Sequence, residues 1–257
     1  GLAYGNFLIQ APLGILSNAL ILPILPKFSE LINKNNYQKL NKILITNIEY
    51  CLLATFLLTG FFICFKDLLI DLVFQRGAFN LQSAILVKNI LIAYALGLPA
   101  YLVRDLLIRT YYSIEEISLP FNLSIYGIGL NFLCDWMLIG APIPNSGNLL
   151  SYNFGVVGLV VSSGIVNLII CVVLSIRLKN FIKPLPHKIL LRKTFLIFIA
   201  CFFSIIASHN LINLYDPSLN EFVKIFMLII GSAIYLSLYF LLTKFLKVNK
   251  LELTFFK

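Results

Sequence analysis

Asn131 and Asp135 stand four residues apart in the run NFLCDWMLIG, and on a helix that spacing puts both side chains on one face. An acid inside an apolar run is expensive, so such a residue is where ion or cargo handling is sought. An exporter of cations would be built around a group of this kind, and Asp135 is the clear candidate. Lys88 enters another apolar run at a similar depth. One expectation is therefore a Lys88–Asp135 ion pair, in which each charge lowers the cost of the other. The competing reading weighs more: Lys88 snorkels to the surface, and Asp135 reaches it beside Trp136, an interfacial aromatic.

Asn6, Gln10, Gly14, Ser17 and Asn18 recur at helical spacing and make a stripe of polar and small residues. The stripe suits the wall of a hydrated cavity. It suits still better a packing face, where small residues let helices approach and amides bond to a neighbour. Segment 104–116, RDLLIRTYYSIEE, gathers basic, aromatic and acidic groups. It reads as a short cytoplasmic elbow that receives an anionic headgroup, or simply as a charged helix end before Pro120. Segment 26–43 alternates apolar and polar residues and reads as an interfacial amphipathic helix.

Enzyme chemistry finds no foothold. No nucleophile has a plausible base, and no glycine-rich phosphate loop is present. Asp67, Asp71, Glu115 and Glu116 read as solvated loop acids. The five cysteines form no CxxC pair and read as small apolar fillers. His187 and His209 belong to opposite sides of the membrane, so no metal site is expected.

The elements that must position these groups follow from composition. Of 257 residues, 60% are apolar and 12% charged, with a mean hydropathy of +0.92. A soluble domain carries about a quarter charged residues, and one of this length could not hide the excess in a single core. Disorder is excluded by the same numbers. Seven runs reach the roughly 20 residues that a bilayer crossing needs. They lie at 2–25, 44–65, 84–103, 119–140, 154–176, 195–214 and 222–242. Of the 20 basic residues, 16 fall in the loops and tail on one side. The positive-inside rule makes that side cytoplasmic and puts Gly1 outside. The net charge of +9 then belongs to anionic headgroups rather than to nucleic acid. An outside start without an initiator methionine points to a longer chain.

VFQRGAF (73–79), LIAYALGLPAY (91–101) and the stretch from Arg109 to Pro120 with its paired tyrosines resemble the MurJ (MviN) family of lipid-linked peptidoglycan precursor flippases. The first run, AYGNFLIQAPLGILSNALILPILPKFS, and NFLCDWMLIG agree, so the resemblance covers at least residues 3–140. It implies an all-α integral membrane fold with seven transmembrane helices, the second lobe of a two-lobed exporter-type bundle (MOP superfamily) plus a terminal helix pair. Residues 1–180 would be the five-helix C-terminal lobe, and 181–257 the extra pair, whose groove takes a lipid tail, with a cytoplasmic tail.

The function implied is the flipping of lipid II to the outer leaflet by alternating access. That makes the chain a multi-pass transporter of the inner (plasma) membrane without covalent chemistry. Partners would be lipid II, membrane lipids and the absent N-terminal lobe, with no nucleic acid. No cofactor is implied beyond coupling to an ion or to the membrane potential. The cavity candidates are Asn6, Gln10, Asn18, Arg104, Arg109, Asn131 and Asp135. Phe74, Arg76, Gly77 and Phe79 would shape a tight outer turn, with Gly77 permitting an unusual backbone angle. One departure stands out: aligned on Pro12, the position where many members carry a cavity arginine is Phe7. The charge would then move to residues such as Arg104 or to the other half. The alternatives are a related exporter of another lipid-linked oligosaccharide or of drugs, a seven-helix receptor, or a lipid-modifying membrane enzyme.

Overall fold

Inside hydrocarbon no water is present to satisfy backbone amides, so long apolar runs must close their hydrogen bonds internally, and helices do this. The computed structural model of the chain describes residues 2–74, 81–143, 147–150, 153–182, 184–212, 220–246 and 248. Helix α1 spans Leu2–Leu20; after a 3-10 turn come α2 (Leu25–Asn33), α3 (Tyr37–Phe74) and α4 (Leu81–Ser113). Helix α5 (Ser118–Leu138) leads into a two-stranded antiparallel hairpin that pairs Pro142–Ile143 with Gly147–Asn148. Helices α6 (Val156–Arg177), α7 (His187–Ile212) and α8 (Glu221–Phe245) complete the described fold.

Each expected crossing is a helix in its expected place. Among the described residues six helical stretches are long and apolar enough to cross a membrane. The remaining one, α5, has 21 residues, about 30 Å of helix, but Asn122, Asn131 and Asp135 make it less apolar. Large apolar side chains point outward, with Phe222 83% and Phe245 80% exposed on α8. A soluble protein would not leave so many uncovered.

Three expectations are corrected. The 104–116 elbow is helix as far as Ser113, because α4 has 33 residues and, at about 50 Å, outruns a core about 30 Å thick. The 26–43 helix is broken, since α2 ends at Asn33 and α3 begins at Tyr37. Asp67 and Asp71 lie within α3 rather than in a loop. The two breaks share one cap. Asn35 (φ 52°) and Glu115 (φ 63°) adopt left-handed backbone. Each break then closes with paired bonds, Asn36 N–H to Leu31 O at 2.9 Å and Glu116 N–H to Tyr111 O at 3.1 Å. This is the Schellman arrangement, which satisfies carbonyls a helix end leaves open.

Helix α4 is central and touches α1, α3 and α6. Its Pro99 lacks the amide that would bond Ala95, and Thr59 Oγ1 of α3 donates to that carbonyl at 2.7 Å instead. Helices α7 and α8 are clamped on α3 through its carbonyls. Tyr235 Oη donates to Leu57 O at 3.0 Å and Tyr239 Oη to Leu53 O at 2.9 Å, while Cys201 Sγ reaches Phe56 O at 3.3 Å.

Candidate functional site

The α1 stripe divides along its length. Asn6 and Gln10 line a cleft of about 200 Å3 between α1, α4 and α6, together with Tyr94, Tyr101, Ser163 and Asn167. Gly97 and Gly164 also line it, and there α4 and α6 come close: a Cβ built on Gly97 would lie 3.5 Å from Gly164 Cα. Asn18 is exposed and lies outside the cleft. Ser17 Oγ serves packing, donating to Asp105 Oδ2 at 3.0 Å. Cavity wall and packing face are thus both present, at different depths of α1.

Arg104 and Arg109 stand on α4 with different surroundings. Arg109 Nε donates to Asp105 Oδ1 at 3.1 Å, four residues back on the same helix, and is neutralised there. Arg104 Nη1 donates to Asn167 Oδ1 of α6, and its guanidinium lies 5.5 Å over the Tyr101 ring. Arg104 Nε is buried without a hydrogen-bond partner among the described residues. Asp105, Tyr101 and Asn167 were missed in the sequence, although signals existed. Asp105 and Arg109 are an i,i+4 pair, and Asn167 is an amide within an apolar run.

Asp135 is held at the α5–α6 contact. Asn131 Nδ2 donates to Asp135 Oδ2 at 3.2 Å, and Ser162 Oγ of α6 donates to Asp135 Oδ1. The Lys88–Asp135 pair, the less favoured of the two readings, is not formed. Lys88 Nζ lies 2.8 Å from Asp67 Oδ1, because its side of α4 faces α3, whereas Asp135 faces α6. Arg76, Gly77 and Phe79 lie outside the described residues, and Phe74 ends α3. Among the described residues no group of three or more His, Cys, Asp or Glu could hold a metal ion.

A second hollow is apolar. A groove of about 850 Å3 runs between α3, α4, α6 and α7, with Phe56, Val103, Cys171 and Phe198 among its walls and Thr59, Ser175, His187 and Thr194 among its polar members. The α7–α8 pair therefore contributes one helix to the groove, and the other walls come from the main bundle.

Together these features define a polytopic helical membrane protein with a polar intramembrane cleft and, across the α4–α6 seam, an apolar groove. Residues 1–240 match the family model described as lipid II flippase MurJ, and the chain belongs to that family. A probable lipid II flippase MurJ of Synechocystis sp. is 34% identical over 165 residues, 64% of this chain and 29% of the relative. The lipid II flippase MurJ of Thermosipho africanus is 25% identical over 240 residues, 91% of this chain and 43% of the relative. A solved structure of lipid II flippase MurJ in an inward closed conformation shares the fold, with a TM-score of 0.72. It is 22% identical, over 96% of this chain and 47% of that one. The chain thus spans about half the length of the relatives it matches.

Proposed function

We propose that this chain forms one half of a lipid II flippase of the inner membrane. In this reading it supplies the second lobe (1–180) and a terminal helix pair (181–257) to a transporter that works by alternating access. The observation that carries the proposal is a cleft bearing the amides of Asn6, Gln10 and Asn167, across the α4–α6 seam from a predominantly apolar groove. An amphiphile with a hydrated head and a polyprenyl tail needs both surroundings at once. The head must be shielded from a hydrocarbon core about 30 Å thick, and the tail gains nothing from leaving it. Nothing covalent changes, so the residues bind and orient rather than react. The missing partner is the other lobe, which would close the cleft.

Coupling to a cation belongs at Asp135. Its carboxylate, with the oxygens of Asn131 and Ser162, is the kind of hard oxygen set that takes an alkali or alkaline-earth ion.

Depletion of the complete protein tests the reading. The fraction of lipid II reached by a membrane-impermeant probe at the outer face should collapse while total precursor accumulates. Unchanged exposure would mean that another protein carries the flux. Asp135→Asn in the same cells should reduce exposure and its dependence on external cations; an unaltered ion dependence removes the coupling role.

A further inference from the structure

Segment 104–116 reads as a place for a headgroup, but its arginines are engaged: Arg109 pairs with Asp105, and Arg104 donates to Asn167. Its last residue opens a different site. Glu116 and Arg177 line a cavity of about 340 Å3 between the start of α5 and the end of α6, with Ser118, Asn122, Leu123 and Val173. The cavity shares no lining residue with the cleft or the groove. Its size falls at the low end of ligand pockets, about 300–1,000 Å3.

The two charges in it are held apart. No ion pair joins Glu116 to Arg177, and the exposed Arg177 makes no hydrogen bond or ion pair among the described residues. Glu116 spends one oxygen locally. Its Oε1 accepts from Ser118 Oγ and, at 3.2 Å, from the Leu119 N–H, one of the amides that α5 leaves open at its start. Its Oε2 accepts nothing among the described residues. The cavity is also graded. Glu116, Ser118 and Arg177 stand at the end that the positive-inside rule assigns to the cytoplasm. Leu123 lies about 8 Å along α5 from Ser118, and Val173 one turn back along α6, both toward the membrane interior.

An acid and a base that do not meet, above an apolar wall, fit an amphiphile whose head carries both signs. A purely anionic head would face the Glu116 carboxylate, and a purely cationic one the Arg177 guanidinium. We propose that this cavity seats an ethanolamine phospholipid of the cytoplasmic leaflet. Its phosphate lies on Arg177, its ammonium on Glu116 Oε2, and the start of an acyl chain against Leu123 and Val173. The guanidinium fork matches phosphate oxygens, and the ammonium brings three donors to an acceptor with room for them. The site does not depend on which cargo the protein carries.

The test uses the full-length protein in detergent and native mass spectrometry, with phosphatidylethanolamine, phosphatidylcholine and phosphatidylglycerol of identical acyl chains. Wild-type protein should bind the ethanolamine lipid about three- to five-fold more tightly than either of the others, the scale of one partly exposed charged contact. The choline nitrogen is methylated and cannot donate, and the glycerol head has no amine. Glu116→Gln keeps an oxygen for the Leu119 amide and should erase the preference for ethanolamine over choline. Arg177→Gln removes the phosphate contact and should weaken both lipids alike. An ethanolamine lipid with a photoreactive group near its ester links should label segments 116–123 and 173–177, and glycerophosphoethanolamine, the head without chains, should not displace it. Equal binding of ethanolamine and choline lipids overturns the proposal, as does a preference for phosphatidylglycerol. An ethanolamine preference that survives Glu116→Gln overturns it too, since the amine then lies elsewhere. If a variant does not fold, labelling outside both segments overturns it, and displacement by the free head removes the lipid assignment.

Discussion

At the scale of single residues, the tightest constraint lies away from the cleft. A Cβ on Gly60 of α3 would sit 2.1 Å from Tyr235 Oη and 2.7 Å from Cys201 Sγ. Both side chains belong to the clamp, so neither can retreat without giving up its carbonyl. Gly60→Ala should therefore push α7 and α8 off α3, costing about 1–3 kcal/mol as overpacking does. Tyr235→Phe keeps the ring between α3 and α8 and removes one interhelical bond, on average about 0.6 kcal/mol in a membrane. Thermal melting of the detergent-solubilised protein decides between them. The alanine variant should fall by several degrees, at about 2–4 °C per kcal/mol for a chain of this size, and the phenylalanine variant by about one. Equal shifts would mean that the hydrogen bond, not the close approach, holds the pair. The sequence carries no sign of this contact, because Gly60 meets residues 141 and 175 positions further on. The Asp67 partner of Lys88 was hidden for the same reason. Depth along the membrane was readable from its run, but which neighbour its face of α4 meets was not, and Asp67 took the place expected of Asp135.

At the scale of elements, hydrophobic runs and charged loops were enough to find every crossing, because a bilayer demands the same length of each. The ends were less legible. Segment 104–116 read either as a short elbow or as a charged helix end, and the second holds: α4 carries it as helix to Ser113 and stops only where Glu115 turns left-handed. The stop signal is weak because glutamate, unlike the glycine usual at this position, is not a residue that marks a helix end. A left-handed backbone costs a non-glycine residue about 1–2 kcal/mol, and glycine recovers that less its own added freedom when unfolded. Glu115→Gly should thus add up to about 1 kcal/mol of stability and raise the melting temperature by a few degrees at most, and Glu115→Val should lower it. A fall with glycine would show that the Glu115 side chain holds the turn by other means. The cleft was half legible. Helical spacing brought Asn6 and Gln10 forward, but Asn167, Tyr101 and Asp105 matter through α4 packing between α1 and α6, which no local pattern encodes.

At the scale of the whole molecule, direction follows from charge. By sequence, 16 of the 20 basic residues fall in and around the segments that follow the first, third, fifth and seventh apolar runs, Arg104 and Arg109 among them within the C-terminal part of α4. The positive-inside rule assigns that side to the cytoplasm, which predicts that the hairpin after α5 faces outward. Leu149 in the hairpin region is 63% exposed and Lys179, just after α6, is exposed, so each can be replaced without disturbing the bundle. The native cysteines compete little for a polar reagent, since Cys51, Cys64 and Cys201 are buried and Cys134 and Cys171 partly so. In intact cells, Leu149→Cys in the complete protein should react with a membrane-impermeant maleimide, and Lys179→Cys only after permeabilisation. The reverse pattern would turn the molecule over.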